Sequence, residues 1–340
     1  MKKIIRYILD IIKEDALYLL FLLISIFICI YPLNYYIIIG GGTSNISSRV
    51  KVENANKSKG SFNICYVKEL SGTILSYALS YIIPSWERES ADNYKYTKKE
   101  SIEDIEFRSD LDLEYSSNNA IYWAYTLAKK EVEEKESHIY VISIGEDYNN
   151  SLKVGDEILS IDNQPFKEIT EYINYIQIKN ENDEVELKIK RNKKEKIIKA
   201  KISLYKGKKM IGVLLKKSKK YEVTPKVNIK FKRSESGPSA GLITTLEIYN
   251  RLIKKDITKG LKIAGTGTIE EDGSIGEIGG VKYKILGAAK DKADIFIVPE
   301  GNYKEAKQYI KDKKIKIKLI KVSTIKETIE KLEEYKWELE

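Results

Sequence analysis

The chain has 340 residues, 42% of them hydrophobic and 32% charged, with Lys+Arg of 59 against Asp+Glu of 50 and a formal net charge of +9. This composition belongs to a globular protein and not a disordered one, and the length leaves room for two domains with a buried core. One histidine (His138) and two cysteines (Cys29 and Cys65) offer no metal-ligand spacing, which excludes structural zinc and makes a disulfide implausible.

From the N-terminus, residues 16–39 carry no charge. About 24 apolar residues exceed the ~20 that a bilayer requires, so one transmembrane helix is expected there. Lys2, Lys3, Arg6 and Lys13 precede it and only Arg49 and Lys51 follow closely, which puts residues 1–15 in the cytoplasm and the remainder outside the cell membrane. A cleaved signal peptide fits less well, because the run is too long and no Ala-x-Ala site follows. Gly40–Asn45 is a flexible exit.

Strands are expected over 49–52 and 61–67, then a helix over 73–83 that stops before Pro84. Residues 85–112 are polar and give no clear assignment. A helix over 117–134 follows, with Ala120, Ile121, Ala124, Leu127 and Ala128 on one face. Between His138 and Tyr205 the pattern changes to short strands. Val185, Leu187 and Ile189 alternate with charges, and Asn192-Lys193-Lys194 makes a turn. His138, at the start of this module, reads as a surface or strand-edge residue. The run Lys216-Lys217-Ser218-Lys219-Lys220 reads as a solvated face, with anionic lipid or cell-wall polymer as the functional alternative. No nucleic-acid motif accompanies it.

Beyond Val223, strands are expected at 226–231, 261–264 and 295–298, with an alternating half-exposed strand at Ile315, Ile317 and Leu319. Ala240–Lys254 is helical, with Leu242, Ile243, Leu246, Tyr249 and Ile253 apolar. The last helix starts near Thr324 with a capping box to Glu327 and buries Ile325, Ile329 and Leu332. The fold class is α+β.

The chemistry concentrates in Ser236-Gly237-Pro238-Ser239-Ala240-Gly241 and Gly279-Gly280-Val281-Lys282-Tyr283-Lys284. A serine hydroxyl needs a base, and with one remote histidine the main alternative is a lysine. Ser239 opens a helix, where unpaired first-turn N–H groups and the helix dipole can receive an oxyanion. Pro238 and Ala240 therefore flank an oxyanion site, and Gly241 lets a substrate backbone come close. To act as a base, Lys284 needs a pKa brought from ~10.4 to near 7, and burial among Val281, Ile285 and Leu286 is the available means. Gly276, Gly279 and Gly280 let the backbone turn so that this lysine faces Ser239. Thr266 can orient the amine. The full Walker pattern is absent, and no cofactor or metal is implied.

Two resemblances carry these readings further. Leu152-Lys153-Val154-Gly155-Asp156-Glu157-Ile158-Leu159-Ser160-Ile161 and Phe166 resemble the core of a PDZ domain, which binds peptide segments as an added strand. Residues from about Val223 to Ala306 resemble the Lon proteolytic domain, with Ser239 on the nucleophile position, Lys284 on the catalytic lysine and Thr266 on the orienting threonine. Lys282 is then a solvent-facing neighbour. The chain departs from Lon in lacking an ATPase module and in carrying Ser236 and Thr268 where Lon has acidic residues. The sum is similar to membrane-anchored Lon-like PDZ proteases of the YlbL/SepM type. That resemblance implies an α+β Lon-type domain with an inserted β-rich PDZ, preceded by a transmembrane helix. The expected divisions are 1–15, 16–39, 40–136 (partly protease), 137–206 (PDZ) and 207–340 (Lon-type). It implies an ATP-independent extracellular serine endopeptidase acting on short or unfolded peptides, a secreted peptide signal among them. The partners are substrate peptides, PDZ-bound segments and the lipid bilayer, with no nucleic acid, and a homo-oligomer is open because Lon-type domains often form rings. The alternatives are an inactive membrane-tethered PDZ adaptor and a domain that cleaves only itself.

Overall fold

A computed structural model describes residues 15–148 and 151–335. The elements begin with α1 (Ala16–Ile30), β1 (Pro32–Asn45), β2 (Val50–Val52), β3 (Ser61–Thr73), α2 (Ile74–Leu79) and β4 (Trp86–Ser90). They continue with α3 (Ile102–Leu127), β5 (Glu131–Ile144), β6 (Glu157–Ile161), α4 (Ile169–Ile178), β7 (Glu184–Arg191), β8 (Lys194–Lys201), β9 (Ser203–Tyr205), β10 (Lys208–Met210) and β11 (Val213–Thr224). The remainder is β12 (Val227–Ile229), α5 (Gly241–Leu252), β13 (Lys262–Gly265), α6 (Val281–Lys290), β14 (Ile295–Pro299), α7 (Glu300–Asp312), β15 (Lys318–Val322) and α8 (Ile325–Glu334). The architecture is mixed α+β. The chain divides into two compact units, Met1–Gly41 with Val67–Tyr94, and Gly42–Tyr66 with Lys95–Glu340.

In the first unit the charge-free run does not form one helix over 16–39. α1 ends at Ile30, and Tyr31 is already extended (ψ 116°). Pro32 lacks an N–H and disfavours helical backbone in the residue before it. The β-branched Ile37-Ile38-Ile39 then joins β1, which pairs antiparallel with β4 from Tyr35↔Ser90 to Ile39↔Trp86. Among the described residues no helix is long and apolar enough to cross a membrane. Of the basic residues that suggested an orientation, Lys2, Lys3, Arg6 and Lys13 lie outside the described residues, whereas Arg49 and Lys51 lie within them. α2 is shorter than expected, and its Thr73–Ser76 capping box sets its start.

The second unit holds a five-stranded antiparallel sheet, β11-β5-β6-β7-β8. Val185, Leu187 and Ile189 are buried on one face of β7, together with Leu152, Ile161 and Ile176. Asn192 and Lys193 both take positive φ in the two-residue turn between β7 and β8, the conformation that matches the twist of a hairpin. His138 sits on an inner strand, not an edge, with Nδ1 2.5 Å from Glu157 Oε1. The lysine run is likewise not a solvated face. It forms the middle of β11, where Lys216 pairs with Asp112, buried Lys217 with Glu168, and Lys219 with Glu134 and Glu271. The charges along β11 therefore hold the strand sheet to α3 and α4.

The rest of this unit is built on parallel pairings of β3 with β13, β13 with β14, and β14 with β15. Parallel sheets are covered on both faces, and the side chains alternate accordingly. Phe62, Ile263, Ile295 and Ile297 face one core with Ala120, Ala124, Leu242 and Leu246, while Cys65, Ala264, Phe296 and Val298 face another with Val281, Ile285 and Ala306. Segments on both sides of the five-stranded sheet in sequence thus share one core.

Two boundaries move, and one helix cap differs. The helix expected at 117–134 runs from Ile102 to Leu127, started by a Ser101–Asp104 capping box, and 131–134 belong to β5. The last sheet strand begins at Lys318, so Ile315 and Ile317 precede it and pack partly buried against the second core. At α8, Thr324 caps the Glu327 N–H, but the Glu327 carboxylate accepts from Ser323 N–H at 2.7 Å rather than closing a box on Thr324.

Candidate active site

Ser239 lies half-buried in a single 3-10 turn, Pro238–Ala240, that runs into α5. Gly237 enters this turn at φ +80°, a backbone conformation that suits glycine, and Pro238 presets the next φ. The turn is tied to the end of β13. The Gly267 N–H donates to the Ser239 carbonyl at 3.0 Å, the Thr266 hydroxyl donates to the same oxygen at 3.3 Å, and Leu242 N–H donates to the Gly267 carbonyl at 3.1 Å.

Lys284 stands in the first turn of α6, which starts from left-handed Gly280 (φ 66°). Its side chain is 4% exposed, and Nζ donates to Thr266 Oγ1 at 3.1 Å. Thr266 is fully buried and fixed by its N–H on the Ile297 carbonyl at 3.1 Å. The structure therefore brings Ser239, Thr266 and Lys284 together at the carboxyl end of a parallel strand. Lys284 Nζ connects through Thr266 Oγ1 to the Ser239 carbonyl.

Several expected roles change. Val281 and Ile285 are buried beside Lys284, but Leu286 is 41% exposed and does not enclose it. Lys282 is half-buried, with Nζ 5.3 Å from the Tyr283 ring centre. Pro238 has no N–H and cannot be an oxyanion donor; its carbonyl accepts from Ser116 Oγ at 2.9 Å. The Ala240 carbonyl accepts from Thr244 Oγ1 at 2.8 Å, which stiffens the start of α5. The Leu242 N–H of that first turn is engaged by Gly267. Gly241 does not open space for a substrate. A Cβ there would lie 2.1 Å from Ser116 Oγ and 2.7 Å from Ile269 Cγ2.

The surroundings are charged and ordered. Glu235, just before the turn, pairs with buried Arg49. Burial opposes its charge, but the hydrogen bonds from Arg49 and from Lys232 N–H outweigh this and hold the carboxyl below its usual range. Thr268 donates to Glu270 Oε1 at 2.5 Å and accepts from Gly276 N–H at 3.1 Å. Burial pushes the Cys65 thiol up to about 12, with the charge of nearby Lys284 pulling the other way. An open groove of about 450 Å³ lies between α3 and residues 229–235, lined in part by Leu113, Ile121, Ile229 and Phe231.

Sequence reading missed Ser116, Asn119 and Trp123. Asn119 Nδ2 donates to the Ile269 carbonyl at 3.0 Å and Trp123 Nε1 to the Glu270 carbonyl at 3.1 Å. Ser116, Ala120 and Ala124 fall at intervals of four on one buried stripe of α3. A polar residue on an otherwise small apolar stripe was the available signal.

Residues 219–334 match the Lon protease (S16) C-terminal proteolytic domain, and residues 130–202 match the PDZ domain. The first match implies a serine peptidase. The Lon protease of Desulfatibacillum aliphaticivorans is 33% identical over 97 residues, which is 28% of this chain and 12% of that protein. The Lon protease of Endomicrobium trichonymphae is 35% identical over 106 residues, 30% of this chain and 13% of that protein. The matched segment thus spans roughly an eighth of these relatives' length. Among solved structures, the PDZ domain of the SdrC-like protein from Listeria monocytogenes is 30% identical and covers 24% of this chain and 92% of its own, with a TM-score of 0.23. The corresponding domain from Listeria innocua is 36% identical, covering 23% and 92%, with a TM-score of 0.22.

Proposed function

We propose that this chain is a serine endopeptidase in which Ser239 is the nucleophile, Lys284 the proton carrier and Thr266 the residue that orients the amine. The carrying observation is the buried Lys284 Nζ donating to Thr266 Oγ1, whose hydroxyl meets the Ser239 carbonyl. In acylation Ser239 Oγ bonds to the substrate carbonyl carbon and its proton passes to neutral Lys284. The C–N bond then breaks and the leaving amine takes that proton. Water repeats the sequence on the ester, giving its proton to Lys284 and freeing Ser239. No step needs ATP. Short or unfolded peptides are the substrates, and the PDZ domain binds peptide segments and gates or presents them.

The site works on the outer side of a membrane. What supports this is α1, whose Leu17, Phe21, Leu23 and Ile30 are exposed and apolar, together with the basic residues that precede it in the sequence. Full-length protein in detergent, incubated with a peptide mixture without ATP and read by mass spectrometry, tests the activity. Cleavage that disappears in Ser239→Ala and Lys284→Ala supports it. Identical peptide patterns in all three remove the peptidase and leave a PDZ adaptor. Retention of the chain in the pellet after alkaline extraction of membranes tests the location.

A further inference from the structure

The turn that carries Ser239 is held by a helix outside the segment that matches the Lon domain. Ser116 on α3 is 1% exposed, and its Oγ donates to the Pro238 carbonyl at 2.9 Å. The Gly241 N–H donates to the same carbonyl. A carbonyl oxygen has two lone pairs, so both donors can be accommodated. The Pro238 C=O and the Ser239 N–H belong to one planar peptide unit. Fixing its oxygen at two points fixes that plane, and with it the direction in which the Ser239 side chain leaves the turn.

The same hydroxyl explains Gly241. Its position is within 2.1 Å of where a Cβ at residue 241 would stand, so the missing side chain is what lets α3 reach the turn. Neighbouring residues of α3 secure the other side of the site. The Ser109 carbonyl accepts from Gly237 N–H at 3.0 Å, while Asn119 and Trp123 hold the Ile269 and Glu270 carbonyls beyond Thr266 and Thr268. Residues 116, 119 and 123 are spaced by three and four, on one helix face.

We infer that Ser116 is a positioning residue for the nucleophile: its bond to the Pro238 carbonyl sets Ser239 against the Thr266–Lys284 pair. This rests on the peptidase reading of the site. A misplacement of about 1 Å at a reacting group can cost about 100-fold in rate. Losing one of two anchors on the peptide should cost about tenfold, without touching substrate binding.

The test uses full-length protein, a fluorogenic peptide substrate and a serine-directed phosphonate. Ser116→Ala is compared with wild type, Ser239→Ala and Ser117→Ala. Ser117 Oγ bonds only its own helix at the Leu113 carbonyl and serves as the control. The expected result for Ser116→Ala is a kcat lowered about tenfold, KM within about twofold and phosphonylation at saturating reagent slowed in parallel. Its pH–rate profile keeps its shape, and Ser117→Ala keeps the wild-type kcat. A wild-type kcat in Ser116→Ala, or an equal fall in Ser117→Ala, overturns the positioning role while leaving the peptidase intact. If Ser116→Ala does not fold, Ser116→Thr decides: retained kcat supports the hydroxyl's role, and a folded but slow threonine variant overturns it. Wild type that cleaves no better than Ser239→Ala removes the peptidase reading itself.

Discussion

Lys217 and Lys284 are both withdrawn from water, at 8% and 4% exposure, yet the fold sets different groups before them. Lys217 Nζ meets the Glu168 carboxylate, which remains half exposed. Lys284 Nζ donates to a buried threonine hydroxyl. A carboxylate compensates a buried ammonium, whereas a hydroxyl can accept from an amine in either protonation state. Burial alone does not make a lysine suited to proton transfer; its partner decides. On β11 the partner turns a lysine into a structural clamp, and at α6 the proposed proton carrier meets a hydroxyl that can serve an amine or an ammonium.

The strongest way to break this contrast is to exchange the two lysines' roles by mutation. Lys284→Ala and Ser239→Ala should each lower kcat by about 1,000-fold or more, since a nucleophile and its base act as a unit. Lys284→Arg should be equally inactive, because a guanidinium stays charged and cannot serve as the base. Lys217→Met should keep kcat within about threefold of wild type. Steady-state peptide hydrolysis checks all four. A Lys217→Met enzyme as dead as Lys284→Ala would undo the distinction.

Thr266→Val sharpens it at one remove. The substitution keeps the shape and deletes a hydroxyl that both accepts from Lys284 and donates to Ser239. We expect kcat to fall about 10- to 100-fold, the range of a lost orienting contact, and stability to fall by about 1–3 kcal/mol for the buried groups left behind. Denaturant midpoints separate the two effects. At the other lysine an asymmetry is expected. Lys217→Met frees a carboxylate that water can reach and should cost about 1 kcal/mol or less. Glu168→Ala leaves a buried ammonium without that carboxylate and should cost more, by urea denaturation of each variant.

How much of this was legible in the chain depends on the range of the forces involved. Gly237, Pro238 and Gly280 act through their own φ angles, so the two turns that place Ser239 and Lys284 could be read locally. The alternation in β7 was equally local. The basic run of β11 was misread because Lys216, Lys217 and Lys219 find their carboxylates on α3, α4, β5 and the segment after β13, partners that no window of sequence contains. Residues 131–136 have strong helix formers, yet pairing with β11 overrides that propensity. The start of α3 went unread, because in its Ser101–Asp104 capping box aspartate replaces the usual glutamate. Composition at 16–39 could not separate helix from strand, and Pro32 was the mark of the change. The role of Gly241 was unreadable, because it answers to Ser116, 125 positions away.

An effect confined to alkaline pH concerns Cys65, which lies close enough to Lys284 to feel its charge. Burial raises its thiol from 9.0 to about 12, so the native protein keeps a proton that the unfolded chain releases above pH 9. The native state then binds more protons than the unfolded state between pH 9 and 12, and stability falls as pH rises through that window. The slope from this one group is at most about 1.4 kcal/mol per pH unit, and it is absent below pH 9. The difference in unfolding free energy between wild type and Cys65→Ala should therefore be flat up to pH 9 and then shift against wild type. Iodoacetamide labelling gives a second readout: at pH 8 native Cys65 should react only as fast as the protein opens.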